Sequence, residues 1–172
     1  MTFVAEYRTV GKSDWQRGPW DDEPDKIQWR DDATGLPCLI HRSPLGFLCG
    51  YVGVAPGHRW HGVDYSDGRL VRIRVHGGLT YSAGCQHGDS PETGICHVPE
   101  PGEPDDVWWF GFDCGHYGDF TDMSRQVSAW RLSLLATGSP LDTGSPGGIY
   151  RGVAYVKAEC AALAVQLAEA AE

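Results

Sequence analysis

The run Val-Trp-Trp-Phe-Gly-Phe at residues 107–112 constrains the fold more than any other part of the sequence. It consists of aromatic and β-branched residues around one glycine and lacks residues that favour helices, so it predicts a buried β-strand. Successive side chains of a strand point to opposite faces of the sheet. One face then carries Trp108, Phe110 and Phe112, and the other carries Trp109, Gly111 and Asp113. We expect the first face to lie in the core.

The second face of this strand is unusual for a core, because Gly111 leaves a gap and Asp113 ends the strand with a carboxylate. A glycine between Trp109 and Asp113 would let a ligand lie close to the backbone with a ring to stack on. The turn that follows adds groups that carry protons or bind metals: Cys114, His116 and Asp119. This region is the candidate site.

Composition limits the class of protein. A chain of 172 residues with 41% hydrophobic and 22% charged residues predicts one globular domain with a substantial core. No apolar run is long enough to span a membrane, and the first residues lack the features of a signal peptide, so we expect a cytoplasmic protein. A net charge of −9 argues against binding to polymeric nucleic acid. A small anionic ligand remains compatible with a local pair of arginines.

Several strands and one long helix are predicted, which together indicate an α+β fold with an antiparallel meander. The predicted strands are residues 3–9, 27–31, 36–42, 47–54, 70–76, 79–82 and 107–112. A turn at residues 32–35 makes the second and third of these a hairpin. We expect a single domain over residues 1–172, with an irregular arm at 1–26 whose two tryptophans pack on the body or on a second subunit, and with the sheet and site loops at 27–119. Helical turns are expected at residues 124–135, and residues 137–148 are rich in glycine, serine and proline. A helix at residues 150–171 is expected to cover one face of the sheet.

The predicted strand at residues 70–76 alternates cleanly, which places Arg72, Arg74 and His76 on its non-core face. If this strand neighbours residues 107–113, these side chains join Trp109 and Asp113. Two guanidiniums, an imidazole and a stacking ring over Gly111 would form a cradle for a phosphate and a nucleobase, and Thr80 could add a hydroxyl. The alternative is an ordinary solvated face that carries charges for solubility.

Histidines and carboxylates give the sequence its acid–base chemistry. His76, Asp113, His116 and Asp119 would suit either a hydrolytic metal or a metal-free acid–base pair. Asp113 could instead cap the following turn. His58 and His61, three residues apart around Trp60, could line the ligand site or converge on a metal, but they lie in a loop and need not converge. Motifs for a serine nucleophile, a phosphate-binding loop or a dinucleotide fold are absent.

The six cysteines are expected to be buried thiols in a reducing compartment, or in part metal ligands. Four residues in one loop are chemically suited to a structural zinc: Cys85, His87, Cys96 and His97. Their spacing matches no standard zinc finger or ribbon. A divalent metal such as zinc is therefore one of two open interpretations, beside buried thiols.

Four motifs stand out in the sequence: DATGLPCLI at 32–40, CGYVGV at 49–54, VHGGLTYS at 75–82 and WWFGFDCGH at 108–116. As a set they resemble a family of small proteins encoded by bacteriophages and prophages, and the resemblance runs over residues 27–170. The resemblance brings no established activity with it, but it implies expression in the cytoplasm of a bacterial host. Small phage proteins with pockets for charged ligands often counter host defence by destroying or sequestering nucleotide signals such as cyclic dinucleotides or ADP-ribose derivatives.

Three functional hypotheses follow. The first is an enzyme that hydrolyses a nucleotide-derived phosphoester, with Arg72 and Arg74 on the phosphate, Trp109 under the base, and the histidines and aspartates as acid–base groups or metal ligands. The second is a non-catalytic sponge that binds the same ligand, expected to be a homo-oligomer with pockets at symmetric interfaces. A third is a structural phage protein that contains zinc. The number of proton-carrying groups favours the enzyme.

Overall fold

The computed structural model describes residues 4–103, 105–121 and 148–169. In these ranges the chain forms one six-stranded antiparallel sheet and one α-helix, which confirms the predicted α+β class. The strands are β1 (Ala5–Tyr7), β2 (Lys26–Arg30), β3 (Pro37–Arg42), β4 (Leu48–Val54), β5 (Tyr81–Ala83) and β6 (Trp108–Asp113), and helix α1 spans Val153–Glu169. Their order in the sheet is β1-β2-β3-β4-β6-β5, so the first four strands form the expected meander and β6 lies between β4 and β5.

The hairpin of β2 and β3 follows the predicted turn. Asp31 holds this turn because its carboxylate accepts hydrogen bonds from both the backbone and the hydroxyl of Thr34, at 2.9 and 2.8 Å. Gly35 then adopts a φ of +72°, which L side chains rarely adopt. Arg30 therefore pairs with Pro37, and Ile27 with Ile40, in the register that keeps the apolar side chains together.

Helix α1 covers one face of the sheet with an apolar stripe in which every side chain is inaccessible to solvent: Val156, Cys160, Leu163, Ala164 and Leu167. The stripe packs against Phe110 and Phe112 of β6, the face that the sequence assigned to the core. The helix lies close because β4 has a glycine at the contact: a Cβ at Gly50 would lie 2.4 Å from the Phe112 ring. Each large side chain buried here contributes about 1.5–3 kcal/mol to stability.

The opposite face of the sheet is also buried, under the loop that connects β5 to β6. Trp109 has no exposed surface and packs with Leu39, Tyr51 and Val107. The gap at Gly111 is filled by Tyr51, whose ring would lie 2.5 Å from an added Cβ. The prediction that Trp109 and Gly111 offer a ligand a stacking ring beside open backbone is therefore wrong, because other parts of the chain occupy that space.

The prediction of a strand at residues 70–76 is also wrong. A 3-10 helix forms at Gly68–Leu70, and turns follow it. The backbone groups that a neighbouring strand would have paired are bound by side chains of α1 instead. Gln166 accepts from the Arg74 N–H and donates to the Arg74 carbonyl, both at 2.7 Å, and Glu159 accepts from the His76 N–H at 2.8 Å.

The N-terminal arm packs on the body of the protein, as one of the two predicted alternatives has it. Trp20 is buried, stacks on Phe120 with ring centroids 5.5 Å apart, and meets Tyr150 edge to face. The helical turns expected at residues 124–135 lie outside the described residues, as does the stretch at 137–148 except for Gly148. In the described ranges, no helix has the length and apolar character needed to cross a membrane.

Candidate active site

Four residues with acid–base side chains come together where the loop before β5 meets the turn after β6. His76 belongs to the loop, Asp113 ends β6, and His116 and Asp119 lie in the turn. The sequence pattern predicted these four residues as the catalytic set. Their proximity does not come from adjacent strands, because the loop that carries His76 is held by α1.

Both ring nitrogens of His76 are hydrogen-bonded. Nε2 lies 2.8 Å from Oδ2 of Asp119, and Nδ1 lies 2.9 Å from the hydroxyl of Tyr155. An ionised carboxylate can only accept, so in the neutral imidazole Nε2 carries the hydrogen and Nδ1 accepts from the Tyr155 hydroxyl. This assignment of the hydrogens leaves the basic nitrogen facing a phenolic O–H.

Asp119 is the centre of this arrangement. Its carboxylate is almost fully buried and also accepts from the His116 N–H at 3.1 Å and from Nε of Arg151 at 3.2 Å. These donors offset the cost of removing the charge from water. The turn is anchored by hydrogen bonds from Phe120 N to Ile149 O and from Ile149 N to Gly118 O. Asp119 therefore joins the turn, the loop and the segment that leads into α1.

Three further residues of the site were not predicted from the sequence: Arg151, Tyr155 and Glu159. They recur every four residues, so they lie on one side of α1 and the segment before it, next to the apolar stripe. The Arg151 guanidinium lies 4.6 Å from the centre of the Tyr155 ring. Burial, followed by the charge of Glu159, raises the pKa of the Tyr155 hydroxyl. A polar row beside an apolar helical stripe is the signal that could have identified these residues.

His116 and Asp113 are both partly exposed and form the more accessible side of the site. The His116 ring lies 5.9 Å from the His76 ring, and its Nε2 is 3.5 Å from Oδ1 of Asp113. This Nε2 is buried and has no hydrogen bond within the described residues. Asp113 also caps its turn by accepting from the Gly115 N–H at 3.0 Å, as the alternative interpretation expected, and it accepts from the Thr80 hydroxyl at 3.1 Å. Thr80 therefore lies at the site, through the carboxylate.

Comparisons of the chain with protein-family models, with curated proteins and with solved structures find no match. The arrangement is compatible with proton transfer. In this geometry His76 could take a proton from the Tyr155 hydroxyl while Asp119 stabilises the imidazolium, and His116 places a second imidazole beside it.

The geometry favours metal-free chemistry at this site. Among the described residues, the group in which three ligand atoms lie within 4.8 Å of one another is Cys85, Cys96 and His97. The ligand atoms of the predicted catalytic set, His76, Asp113, His116 and Asp119, do not form such a group. In addition, both nitrogens of His76 already have partners.

The predicted phosphate cradle is not formed beside Asp113. Arg74 is exposed, and its backbone is held by Gln166. Arg72 instead lines a cavity of about 630 Å³ together with Arg59, Arg69 and Trp60. The guanidiniums of Arg59 and Arg69 lie 4.4 and 5.6 Å from the centre of the Trp60 ring. This arginine groove, defined by Arg59, Trp60, Arg69 and Arg72, has the volume of a small-molecule pocket.

The two histidines beside Trp60 hold their own loop in shape. Nδ1 of His58 accepts from the Trp60 N–H at 3.2 Å, and Nε2 of His61 lies 2.8 Å from the Asp106 carbonyl oxygen. Burial lowers the pKa of His58. Trp60 is buried, and its indole N–H has no hydrogen-bond partner among the described residues.

The cysteines divide into two classes. Cys85 and Cys96 form a disulfide, so the expectation of six thiols is wrong for this pair. His87 lies 3.5 Å from Asp105 and is not part of the group formed by Cys85, Cys96 and His97, so the four-residue zinc site is not assembled. The other four cysteines are free and buried, as expected: Cys38, Cys49, Cys114 and Cys160. Burial raises the pKa of Cys38 and of Cys49 to about 12, which keeps these thiols unreactive.

Proposed function

We propose that this protein is a metal-independent hydrolase that cleaves a phosphoester in a nucleotide-derived signal, with a cyclic dinucleotide as the expected class of substrate. The observation that supports this is the hydrogen-bonded chain from Asp119 through His76 to the Tyr155 hydroxyl, with the His116 ring beside it. The substrate class and the setting, a phage-encoded protein that acts against host immunity in the cytoplasm of a bacterial host, follow the resemblance of the sequence motifs.

Tyr155 is the nucleophile in this proposal. Because burial raises the pKa of its hydroxyl, the phenol is protonated at rest and needs a base. His76 takes the hydroxyl proton at Nδ1 while the phenolic oxygen attacks phosphorus, and Asp119 stabilises the imidazolium that forms. His116, in its protonated form, gives a proton to the leaving oxygen as the P–O bond breaks.

The second half of the reaction restores the enzyme. Neutral His116 takes a proton from water, and the resulting hydroxide attacks the phosphorus of the Tyr155 phosphoester. The phenolate leaves and recovers its proton from His76. Every proton that leaves a side chain in the first half therefore returns in the second.

Electrostatics favour a diester over a monoester. Three carboxylates lie around the site, from Asp113, Asp119 and Glu159, whereas the one guanidinium in contact with them among the described residues is that of Arg151. A dianionic monoester would be repelled more strongly here than a singly charged diester. The linkages of a cyclic dinucleotide are diesters.

A second candidate function is binding without turnover, and the arginine groove favours it. Its volume suits a nucleotide, and three guanidiniums line it, of which that of Arg69 is already paired with Asp67. Guanidiniums bind phosphate groups through paired hydrogen bonds. A sponge of this kind is expected to be a homo-oligomer. In this case, binding of the ligand would depend on Arg72 and not on His76.

One experiment separates these functions. The protein is incubated with a panel of cyclic dinucleotides and ADP-ribose derivatives, the free nucleotides are measured, and all nucleotides are measured again by mass spectrometry after heat denaturation. A new product mass supports hydrolysis. Loss from the free pool with intact recovery after heating supports sequestration, and no change with any compound rejects both.

Variants then assign the roles. His76→Gln keeps a donor for Asp119 but removes the base, so turnover is expected to fall by about 10²–10⁴-fold, as it should in Tyr155→Phe. His87→Gln serves as the matched histidine control, because His87 is exposed and its ion pair is with Asp105, away from the site. A nucleotide adduct on Tyr155 after acid quenching would identify the nucleophile. Full turnover in Tyr155→Phe would exclude that role.

A further inference from the structure

The disulfide between Cys85 and Cys96 joins two parts of the loop between β5 and β6 that also pair through their backbones. Gln86 and Ile95 form an antiparallel bridge, with a hydrogen bond from Gln86 N to Ile95 O of 3.1 Å. The two cysteine Cα atoms are 4.7 Å apart, and each cysteine adjoins one residue of the bridge. The backbone therefore keeps the two sulfur atoms near each other without the help of the S–S bond.

His97 extends this pair to three ligand atoms. One atom from each of Cys85, Cys96 and His97 lies within 4.8 Å of the others, and two of the three are sulfur. The imidazole packs on Trp109, and its Nδ1 is buried without a hydrogen-bond partner among the described residues. A buried polar atom without a partner is costly, so its presence needs an explanation.

Side chains of β2 hold the backbone on both sides of His97, independently of the S–S bond. Lys26 of β2 donates to the Cys96 carbonyl at 2.7 Å, on one side of His97. On the other side, Gln28 accepts from the Val98 N–H at 2.8 Å and donates to the Val98 carbonyl at 3.0 Å. Because two side chains of the sheet hold the backbone before and after His97, the imidazole is expected to stay in place when the disulfide opens.

We propose that Cys85, Cys96 and His97 form a redox-gated zinc site that is closed in the disulfide state and open in the dithiol state. A dithiol reductant supplies two electrons, the S–S bond breaks, and the reductant becomes a disulfide. The two thiols then lose their protons to solvent as Zn²⁺ binds both sulfurs and the His97 imidazole. The oxidised sulfurs carry no thiolate charge, so disulfide and zinc exclude each other at this position.

Space exists for a fourth ligand. A cavity of about 80 Å³ borders Cys96 and His97, which exceeds the room that a water molecule needs. Two thiolates, one imidazole and one water make a tetrahedral zinc site with an exchangeable position. The proposed zinc site also suits a reducing cytoplasm, because the two cysteines would be a dithiol there. The disulfide would then form only under oxidising conditions.

The test uses the full chain and Co²⁺ as a spectroscopic probe of tetrahedral thiolate sites. Protein reduced with a phosphine, which competes weakly for metal, is titrated with Co²⁺ and then with Zn²⁺, beside the same protein in its oxidised form. We expect one equivalent of Co²⁺, a sulfur-to-cobalt charge-transfer band in the reduced form alone, and displacement by Zn²⁺. Equal binding to both forms, or no band in the reduced form, would overturn the proposal.

Three variants locate the ligands. The double variant Cys85→Ser/Cys96→Ser keeps the four buried thiols and is expected to lose the band, so a retained band would place the metal elsewhere. His97→Gln is expected to weaken Zn²⁺ binding by about tenfold or more, whereas His58→Gln, in the loop beside Trp60 and outside the lining of that cavity, should change it less than about twofold. Circular dichroism checks folding, and the comparison of oxidised with reduced wild-type protein holds even if a variant does not fold.

Discussion

Nε2 of His76 and Oδ2 of Asp119 lie 2.8 Å apart although 43 residues separate them in the sequence. The carboxylate fixes which nitrogen of the imidazole carries hydrogen. In wild-type protein at about pH 8.5, well above the ordinary imidazole pKa, ¹⁵N NMR of the ring should find hydrogen on Nε2 and a bare, accepting Nδ1. An imidazole with the opposite tautomer, or a mixture of both, would contradict the proposed role of His76 as the base for Tyr155.

Asp119→Asn should weaken His76 as a base. Oδ1 of Asp119 accepts from Arg151, whereas Oδ2 accepts from the His116 N–H and lies 2.8 Å from Nε2 of His76, so the single oxygen of an amide cannot serve all three donors. The amide also carries no charge to stabilise the imidazolium that forms when His76 takes the Tyr155 proton. Turnover should fall by at least about 10²-fold, while the fold loses about 1–3 kcal/mol from the weakened buried network. Turnover assays and urea denaturation measure the two effects.

Gly77 and Gly78 offer a matched pair of substitutions beside His116. Both have positive φ, at +68° and +83°, so alanine costs about 1–2 kcal/mol at either position. An added Cβ at Gly77 would lie 2.1 Å from the His116 ring, whereas one at Gly78 would meet no atom within 4 Å. Gly77→Ala should therefore cost a further 1–3 kcal/mol, roughly, and displace His116. Urea denaturation measures the difference, and equal losses would mean that Gly77 does not support the ring.

Two kinds of strand could be predicted from the sequence: a strand whose partner is near in the chain, and a strand whose apolar side chains require burial. The hairpin of β2 and β3 is set by its own turn, and the apolar run of β6 forms a strand in any sheet that can bury it. Residues 70–76 carry an equally regular alternation, but Gln166 and Glu159 take the backbone hydrogen bonds of Arg74 and His76. Local periodicity holds no information about side chains that lie 92 and 83 residues away in the chain.

The candidate site was predicted in part, for a related reason. His76, Asp113, His116 and Asp119 were chosen for their chemistry, and the structure brings them together. Tyr155 was not chosen, because its importance depends on which turn of α1 lies against the loop. Trp109 was chosen for an exposed face that the β5–β6 loop covers, and the sequence pattern of a strand cannot reveal which loop will fold over it.

Lys26 should make stability rise with pH. Its side chain is fully buried, burial lowers its pKa to about 8, and its ammonium donates to the carbonyls of Pro91 and Cys96. Between about pH 8 and the unfolded pKa near 10.5, the unfolded chain holds more protons than the folded one, so stability increases with pH. Well below pH 8 both states are protonated, and this contribution is constant.

Lys26→Met isolates this effect, because the other titrating groups remain in both proteins. Burial also raises the pKa values of several tyrosines and cysteines. Their effect on the pH dependence of stability is the same in wild type and variant, so it cancels in the comparison. We expect the free energy of unfolding of wild type minus that of Lys26→Met to rise between about pH 8 and 9.5, by at most about 1.4 kcal/mol per pH unit. A flat difference over this range would show that the folded protein holds the Lys26 proton as tightly as the unfolded chain does, so that burial does not lower its pKa.

Asp25 should have its effect on stability in acid. Its carboxylate is buried and accepts from Nε of Arg42 at 2.7 Å and from the backbone of Thr9 and Val10 at 2.9 and 3.0 Å, and it lies 2.9 Å from Nζ of Lys12. Burial alone would raise the pKa of this carboxyl, but hydrogen bonds from Lys12, Val10 and Arg42 bring it below its ordinary value of 3.8. The stabilisation is therefore complete above that value and is lost as pH falls further, because the unfolded chain takes up the proton first.

Asp25→Asn tests this directly. At pH 7 we expect a loss of about 3–5 kcal/mol, because the buried Arg42 keeps its charge without its main carboxylate partner. The exposed pair of Asp67 and Arg69 supplies the control, since Asp67→Asn breaks an ion pair that solvent already screens and should change stability far less. Urea denaturation of all three proteins from about pH 7 to about pH 3 should show the gap between wild type and Asp25→Asn narrowing below about pH 4. A gap that stays constant across this range would mean that the loss comes from altered packing, and that the charge of Asp25 does not hold the N-terminal arm to β3.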